Sequence, residues 1–298
     1  MFKKFIQLVA FLFPSPINLW IHKLSGAKIG NYVNIHPGVL IFANTIEIGD
    51  SAKIKFGTMI NVKNFKLGKK SFIGFFTLAK GESDLIINDA CMIGPKNMLN
   101  CSKDITIGFY SGVGPGCYLY THGSGMPVTE GYRATFAPIH IKEKVWVNMR
   151  STIGPGVTIE EGSIVMPGTV LLESIKAKRM VVGDPAKLNN IPFFIKGINP
   201  VSIEKLATEM ISNYCNYSNE FHGTSWEIKN DSLEIIYRKK KYKISVNAPG
   251  DIVFLAEKGL RSDGMYFNLA DLSTDDSRNP VKLELESFLR LYYGCIFL

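Results

Sequence analysis

His122 has the type and setting to do chemistry. It sits in Thr121-His122-Gly123, where a regular repeat breaks off into a sixteen-residue excursion that ends before Ile141. A side chain at such a break is expected to reach a groove rather than the chain's interior. A neutral imidazole can remove a proton near neutral pH, and an alcohol becomes a competent nucleophile only as its proton leaves. Glu130, Asp104 and Glu82 are carboxylates that could orient the ring, and the sequence does not rank them. Trp146, twenty-four residues after His122, reads from its position as a surface aromatic at a subunit contact.

The other histidines are expected to be structural. His36 and His140 fall within or beside repeat positions, His22 follows Trp20 near the N-terminus, and His222 lies beyond the repeats. A catalytic zinc site built on imidazoles alone needs three convergent histidines, and the repeats offer no closely spaced pair, so no metal is expected. Cys91, Cys101, Cys117, Cys215 and Cys295 are odd in number and form no CxxC pair. That argues against a disulfide framework or a zinc knuckle and fits buried thiols in a reducing compartment, hence a cytoplasmic protein.

The element that must position His122 is a repeat of six. Counted from Ile29, the series runs Ile29, Ile35, Ile41; Ile48, Ile54, Ile60; Leu67, Ile73, Ala79; Ile87, Ile93, Leu99; Ile107, Val113, Leu119; Ile141, Val147, Ile153; Ile159, Val165, Leu171. All but Ala79 are Ile, Leu or Val. Four residues after many of them stands a small or β-branched residue, such as Thr58, Ser71, Ser111, Ser151 or Thr169, and Gly recurs at neighbouring positions. Three short strands per turn, each placing one aliphatic residue inward, with small residues where the backbone bends, make a triangular parallel β-helix. Seven such coils at a spacing of about 4.8 Å would form a prism roughly 30 Å long. Residues 29 to 175 do not sustain the three- and four-residue spacing of amphipathic helices.

The chain here resembles the left-handed β-helix acyltransferases with hexapeptide repeats, in particular the sugar and polysaccharide O-acetyltransferases. The resemblance covers about residues 25 to 190. It rests on the repeats, Thr121-His122-Gly123, Val145-Trp146-Val147, Ile153-Gly154-Pro155-Gly156-Val157-Thr158-Ile159 and the closing Val182-Gly183-Asp184-Pro185-Ala186-Lys187. It implies an acetyl-CoA-dependent transfer by direct attack, with His122 as general base and Trp146 walling the acceptor and thioester site. Asn148, Met149, Pro167, Gly168 and Leu172 would line the pantetheine arm, with Lys187 near the nucleotide phosphates. It also implies a homotrimer with shared sites and a sugar or glycan acceptor. An amino sugar nucleotide acylated on nitrogen would use the same base, and a β-helix scaffold without catalysis would need none of these marks. Two features depart from the family pattern: Asn148 stands where many relatives have Gly, and Glu160 and Met166 replace Gly at later repeats.

The expected fold is therefore mainly β. Residues 1–24 form an N-terminal helical segment, 25–192 the hexapeptide-repeat β-helix, and 197–298 a small α+β domain. Lys3-Lys4 and the apolar run Phe5 to Phe13 imitate the start of a signal peptide, but Pro14-Ser15-Pro16 stands at the expected cleavage site. The run is too short to span a bilayer. It caps the stack or lies on the inner face of a membrane as a peripheral contact.

After Pro192-Phe193-Phe194 the hexads vanish. Ile203, Leu206, Met210, Ile211 and Tyr214 then follow helical spacing, and alternating stretches cover Trp226–Ile228, Leu233–Tyr237, Tyr242–Val246 and Ile252–Leu255. The run Arg238 to Lys241 reads as a solvated hairpin tip. A net charge of +8 favours anionic partners. No nucleic-acid module accompanies it, so phosphate on a small molecule or an acidic membrane is preferred to nucleic acid.

Overall fold

A computed structural model of the chain describes residues 2–123, 128–131, 134–188, 200–222, 225–229, 232–237, 240–248, 250, 252–256, 260–293 and 295–297. Pro192-Phe193-Phe194, Arg238-Lys239 and parts of the two turns expected around 230 and 250 lie outside the described residues. The chain divides into two units, Met1–Phe193 and Phe194–Leu298.

The first unit is the left-handed parallel β-helix. Its three faces are parallel sheets in which each strand pairs with its counterpart one coil away. The first face runs from Lys28–Ile29 to Thr158–Ile159, the second from Asn34–Ile35 to Met180–Val182, and the third from Leu40–Phe42 to Val170–Leu171. Every aliphatic residue of the hexad series is buried except Ile29, which is half-buried at the capped end. The repeat also outlasts the series read from sequence. Ile175 bridges to Ile159, and Val181 pairs with Val165, so a partial eighth coil follows Leu171.

The preference for small hydroxyl residues four positions after each ladder residue has a hydrogen-bonding cause. At the corners, Thr58 donates to the carbonyl of Gly74 at 2.9 Å, Ser71 to that of Asn88 at 2.7 Å, Ser111 to that of Lys142 at 2.7 Å and Ser151 to that of Met166 at 3.0 Å. Each bond satisfies a carbonyl of the next coil that would otherwise be buried unpaired. Cys91 and Cys117 occupy the same position in their coils, and their thiols reach the carbonyls of Gly108 at 2.9 Å and Asn148 at 3.0 Å. Burial pushes the Cys91 thiol up to about 11. All five cysteines are free, four buried and Cys295 half-buried.

Two short helices, α1 (Phe2–Ala10) and α2 (Ile17–Leu24), cover the N-terminal end of the prism. Gln7 donates to the carbonyl of Ala43 at 3.0 Å and Asn18 to that of Ile35 at 2.8 Å. These bonds satisfy carbonyls of the first coil, which has no preceding coil to pair with.

The second unit holds α3 (Pro200–His222), a six-stranded mixed sheet from Ser225–Lys229 to Ser273–Thr274, and α4 (Pro280–Tyr293). Tyr214, Phe254, Phe267, Leu285, Leu289 and Phe297 form its core. The residues read at helical spacing lie in α3, and the alternating stretches lie in strands. The strands Met265–Asn268 and Ser273–Thr274, and α4, have no counterpart in the sequence reading.

Candidate active site

Each strand of the third face ends at a corner that leads to the first face. The residues three places beyond its inward aliphatics Ile41, Ile60, Ala79, Leu99 and Leu119 are Asn44, Lys63, Glu82, Ser102 and His122. The strand register aligns Phe42, Asn61, Lys80, Asn100 and Tyr120 coil by coil. The result is a column of polar side chains climbing one edge of the prism to His122.

Along this column lies a cleft of about 1050 Å³. It is lined by Lys63, Lys80, Glu82, Asn100, Ser102, Lys103 and Phe136, with Phe42 and Ala43 at its far end. Three lysines against one carboxylate leave it positive. Successive coils rise about 4.8 Å, so Lys63 stands roughly 14 Å and Lys80 roughly 10 Å from the rung of His122.

His122 is half-buried and held on three sides. Its Nδ1 lies 2.9 Å from Asn100 Oδ1 and 3.2 Å from Ser102 Oγ. The backbone N–H of Ser102 also donates to Asn100 Oδ1, at 3.2 Å, which fixes that atom as an acceptor. Nδ1 must therefore carry the proton, and the Nε2 lone pair has no partner among the described residues. The base of the excursion is a two-stranded antiparallel ribbon that pairs His122 with Phe136. It lays the Phe136 ring almost parallel to the imidazole, with centroids 5.4 Å apart.

None of the three carboxylates considered from sequence orients the ring. Glu82 lines the cleft, Asp104 accepts from the backbone N–H of Asp84 at 2.9 Å, and Glu130 is exposed in a single turn of 3-10 helix. Asn100, Ser102 and Phe136 went unnoticed in the sequence. The available signal was register: Asn100 and Ser102 stand one coil before Tyr120 and His122.

Trp146 lies elsewhere. It belongs to the second face, paired with Gly112, and its ring covers the space where Gly112 has no side chain: a Cβ there would come within 2.0 Å of the ring. Its indole N–H donates to Asn148 Oδ1 at 2.9 Å, and Asn148 Nδ2 donates to the carbonyl of Val165 at 3.0 Å. Asn148 thus fixes the indole, a task glycine could not perform.

The residues expected to line a donor site divide between two corners. Asn148, Met149, Pro167 and Gly168 lie where the second face turns into the third, and the Gly168 N–H bonds the Met149 carbonyl at 3.0 Å. Lys187 pairs with Val182 at the end of the second face. Leu172 sits across the third face, packed over Gly154, on the edge that carries His122. Met149, Pro167, Gly168, Leu172 and Lys187 are all exposed. A Cβ at Gly168 would meet nothing within 4 Å. Open backbone flanked by Met149 and Leu172 can take an extended chain of apolar and amide groups, with Lys187 able to meet phosphate.

Of the other histidines, His140 is bonded to Thr106 Oγ1 at 2.8 Å, and His36 lies 3.4 Å from Lys55 Nζ. His22 is buried beneath the cap, and the side chain of His222 lies outside the described residues. Among the described residues no three His, Cys, Asp or Glu side chains gather as metal ligands would.

No family model matches the chain. A candidate acetyltransferase of Schizosaccharomyces pombe is 36% identical over 124 residues, 42% of this chain and 51% of that protein. WcaF, a candidate colanic acid biosynthesis acetyltransferase of Escherichia coli, is 31% identical over 102 residues, 34% of this chain and 56% of its own length. The chain thus spans about half the length of the curated relatives it matches. Among solved structures, a hexapeptide-repeat acetyltransferase of Vibrio cholerae complexed with acetyl-CoA matches with 24% identity and a TM-score of 0.37, covering 45% of this chain and 69% of that one. A variant of the N-acyltransferase AntD of Bacillus cereus, complexed with dTDP and coenzyme A, matches with 20% identity and a TM-score of 0.42, covering 68% and 98%. The hexads stack as the triangular coils of a hexapeptide-repeat parallel β-helix, and over 102 to 124 of its residues the chain is similar to these curated acetyltransferases.

Proposed function

We propose that the protein transfers an acetyl group from acetyl-CoA to a hydroxyl of a sugar or surface polysaccharide, with His122 as general base. The observation that carries this reading is the Asn100–His122 bond, which commits the proton to Nδ1 and leaves Nε2 free beside a polar cleft. In the reaction, His122 Nε2 takes the acceptor hydroxyl proton as that oxygen bonds to the thioester carbonyl carbon. Collapse of the tetrahedral adduct breaks the carbon–sulfur bond, and the imidazolium returns the proton to the leaving thiolate. No acyl-enzyme forms, and the proton count closes on the histidine.

The acetyl-CoA relationship of the solved neighbours belongs to those proteins. For this chain, the support for a donor slot is the exposed, open corner at Met149 and Gly168, with Leu172 across the third face from it and Lys187 at the end of the second face. Trp146 and His122 lie on different parts of the prism. A site using both takes the indole from a second copy, which fits a homotrimer with prisms packed side by side. Light scattering alongside turnover tests this, and a monomer that stays fully active at assay dilution refutes it.

A second reading is N-acylation of an amino sugar nucleotide. It is favoured by Lys63, Lys80 and Lys103, which could meet a diphosphate. Wild-type protein and His122→Ala, incubated with acetyl-CoA and panels of glycans and amino sugar nucleotides, separate the readings by product chemistry. Hydroxylamine cleaves an ester and spares an amide. The His122→Ala rate is expected to fall by about 10² to 10⁴-fold, and wild-type turnover by that variant would sink both.

A further inference from the structure

The cap on the N-terminal end of the prism is apolar on its outward side as well as its inward one. The side of α1 and α2 that faces the β-helix carries Ala10 and Ile21 together with Gln7, Asn18 and His22, the three polar residues each only 1% exposed. The outward side carries Phe5, Leu8 and Leu12 from α1 and the turn after it, and Ile17, Trp20 and Leu24 from α2, at the three- and four-residue spacing of one helical stripe. Leu12 is 71% exposed, and Phe5 and Trp20 are each 63% exposed. A surface helix in water turns that stripe inward and its polar residues out. Scattered apolar residues need no explanation, but a continuous patch shared by two helices does.

The charge around the patch is one-sided. Residues 1 to 46 contain Lys3, Lys4, Lys23 and Lys28 and no aspartate or glutamate. Lys23 is exposed on α2, beside Leu24. The first carboxylate in the chain, Glu47, pairs with Lys28 at 2.8 Å, and neither helix contains an acidic residue of its own. A second copy seated on this patch would bring two cationic ends together. Among the described residues no helix is long and apolar enough to cross a membrane, so the stripe is suited to lying on a surface rather than spanning one.

We propose that α1 and α2 dock this end of the β-helix onto a bilayer containing anionic lipid. The helices lie in the interface plane with the apolar stripe among the acyl chains and Lys23 at the headgroups. Trp20 sits at headgroup depth, where an indole is favoured. Docking also orients the cleft. Gln7 of α1 bonds Ala43, and Ala43 lines the cleft's far end. The cleft therefore opens close to the membrane, with His122 four rungs, roughly 19 Å, farther along the prism.

The test is co-sedimentation of the full chain with phosphatidylcholine vesicles, with and without phosphatidylglycerol, across a salt series. The wild type is expected to sediment with the acidic vesicles and to be released by salt, since screening weakens the lysine contribution. Leu12→Ser with Trp20→Ser, both exposed and remote from His122, should lower partitioning at least about tenfold while leaving the far-ultraviolet spectrum unchanged. The proposal is overturned if the wild type stays in the supernatant with acidic vesicles, if neutral vesicles bind it equally well, or if it instead forms vesicle-independent oligomers that the double substitution dissolves.

Discussion

Asn100 and His122 lie one coil apart in the β-helix, with Oδ1 and Nδ1 separated by 2.9 Å. Asn100 is a positioning residue in this reading, because it touches the base and acts through it. Asn100→Ala should lower kcat by about 10- to 100-fold, the size of loss found when a partner that fixes an imidazole is removed, with little change in the KM for acetyl-CoA. Asn100→Asp keeps an acceptor and adds a negative charge that favours the protonated ring. Its pH–rate profile should keep its shape while the acid limb moves to higher pH. A base other than His122 would leave that limb where it is.

Gly112 makes room for Trp146. In Gly112→Ala the new Cβ would stand 2.0 Å from the indole, so the ring must swing off the second face and break its bond to Asn148. The expected loss of stability is about 1 to 3 kcal/mol, as for other overpacked sites. Steady-state fluorescence should report a changed Trp146 environment. If Trp146 walls a shared site, turnover falls along with it; unchanged turnover with a displaced ring would remove Trp146 from the site.

The lysines of the cleft should matter only for a charged acceptor. Lys80→Ala or Lys103→Ala is expected to raise the acceptor KM by about fivefold each, corresponding to roughly 1 kcal/mol for a screened pair. The KM for acetyl-CoA should not move, and the effect should shrink as salt rises. A neutral acceptor turned over equally well by both variants and the wild type would show that the positive cleft does not select its substrate.

His22 makes the capped end sensitive to acid. Burial lowers its pKa from 6.5 to about 4, and neither ring nitrogen has a hydrogen-bond partner. Between pH 6.5 and 4 the unfolded chain therefore binds more protons than the folded one, and stability falls as pH drops through that window, levelling below it. The full effect is on the order of 3 kcal/mol. Thermal unfolding at pH 7 and pH 5 should show a smaller acid loss for His22→Phe than for the wild type.

In the second unit, Lys282 is almost wholly buried and its amine lies 2.8 Å from Asp275. Burial pushes the Asp275 carboxyl up, but hydrogen bonds from Lys282, Ser277 and the backbone of Tyr266 outweigh it and hold the group near about 2. Lys282→Met leaves that carboxylate and the carbonyl of Asp275 without their cation. Asp275 is half-buried, so leaving its carboxylate unpaired costs about 1 to 3 kcal/mol, and calorimetry should place the loss in the transition of this unit.

The sequence alone determined the β-helix, because a six-residue period with an inward aliphatic is a local rule repeated coil after coil, and each hexad states it again. It also singled out His122, since a broken repeat is visible in one dimension. It did not show what holds the ring. Asn100 and Ser102 stand twenty-two and twenty residues before His122, and they meet it only because coils stack at a fixed rise and the third-face strands keep register. Charge suggested Glu82, Asp104 and Glu130; stacking chose a neutral amide. The outward apolar face of the cap was hidden for a similar reason. The apolar stripe of Phe5 to Leu24 looks the same in sequence whether it faces a core or a solvent, and packing against the first coil decided that Gln7 and Asn18 would turn inward to satisfy its open carbonyls.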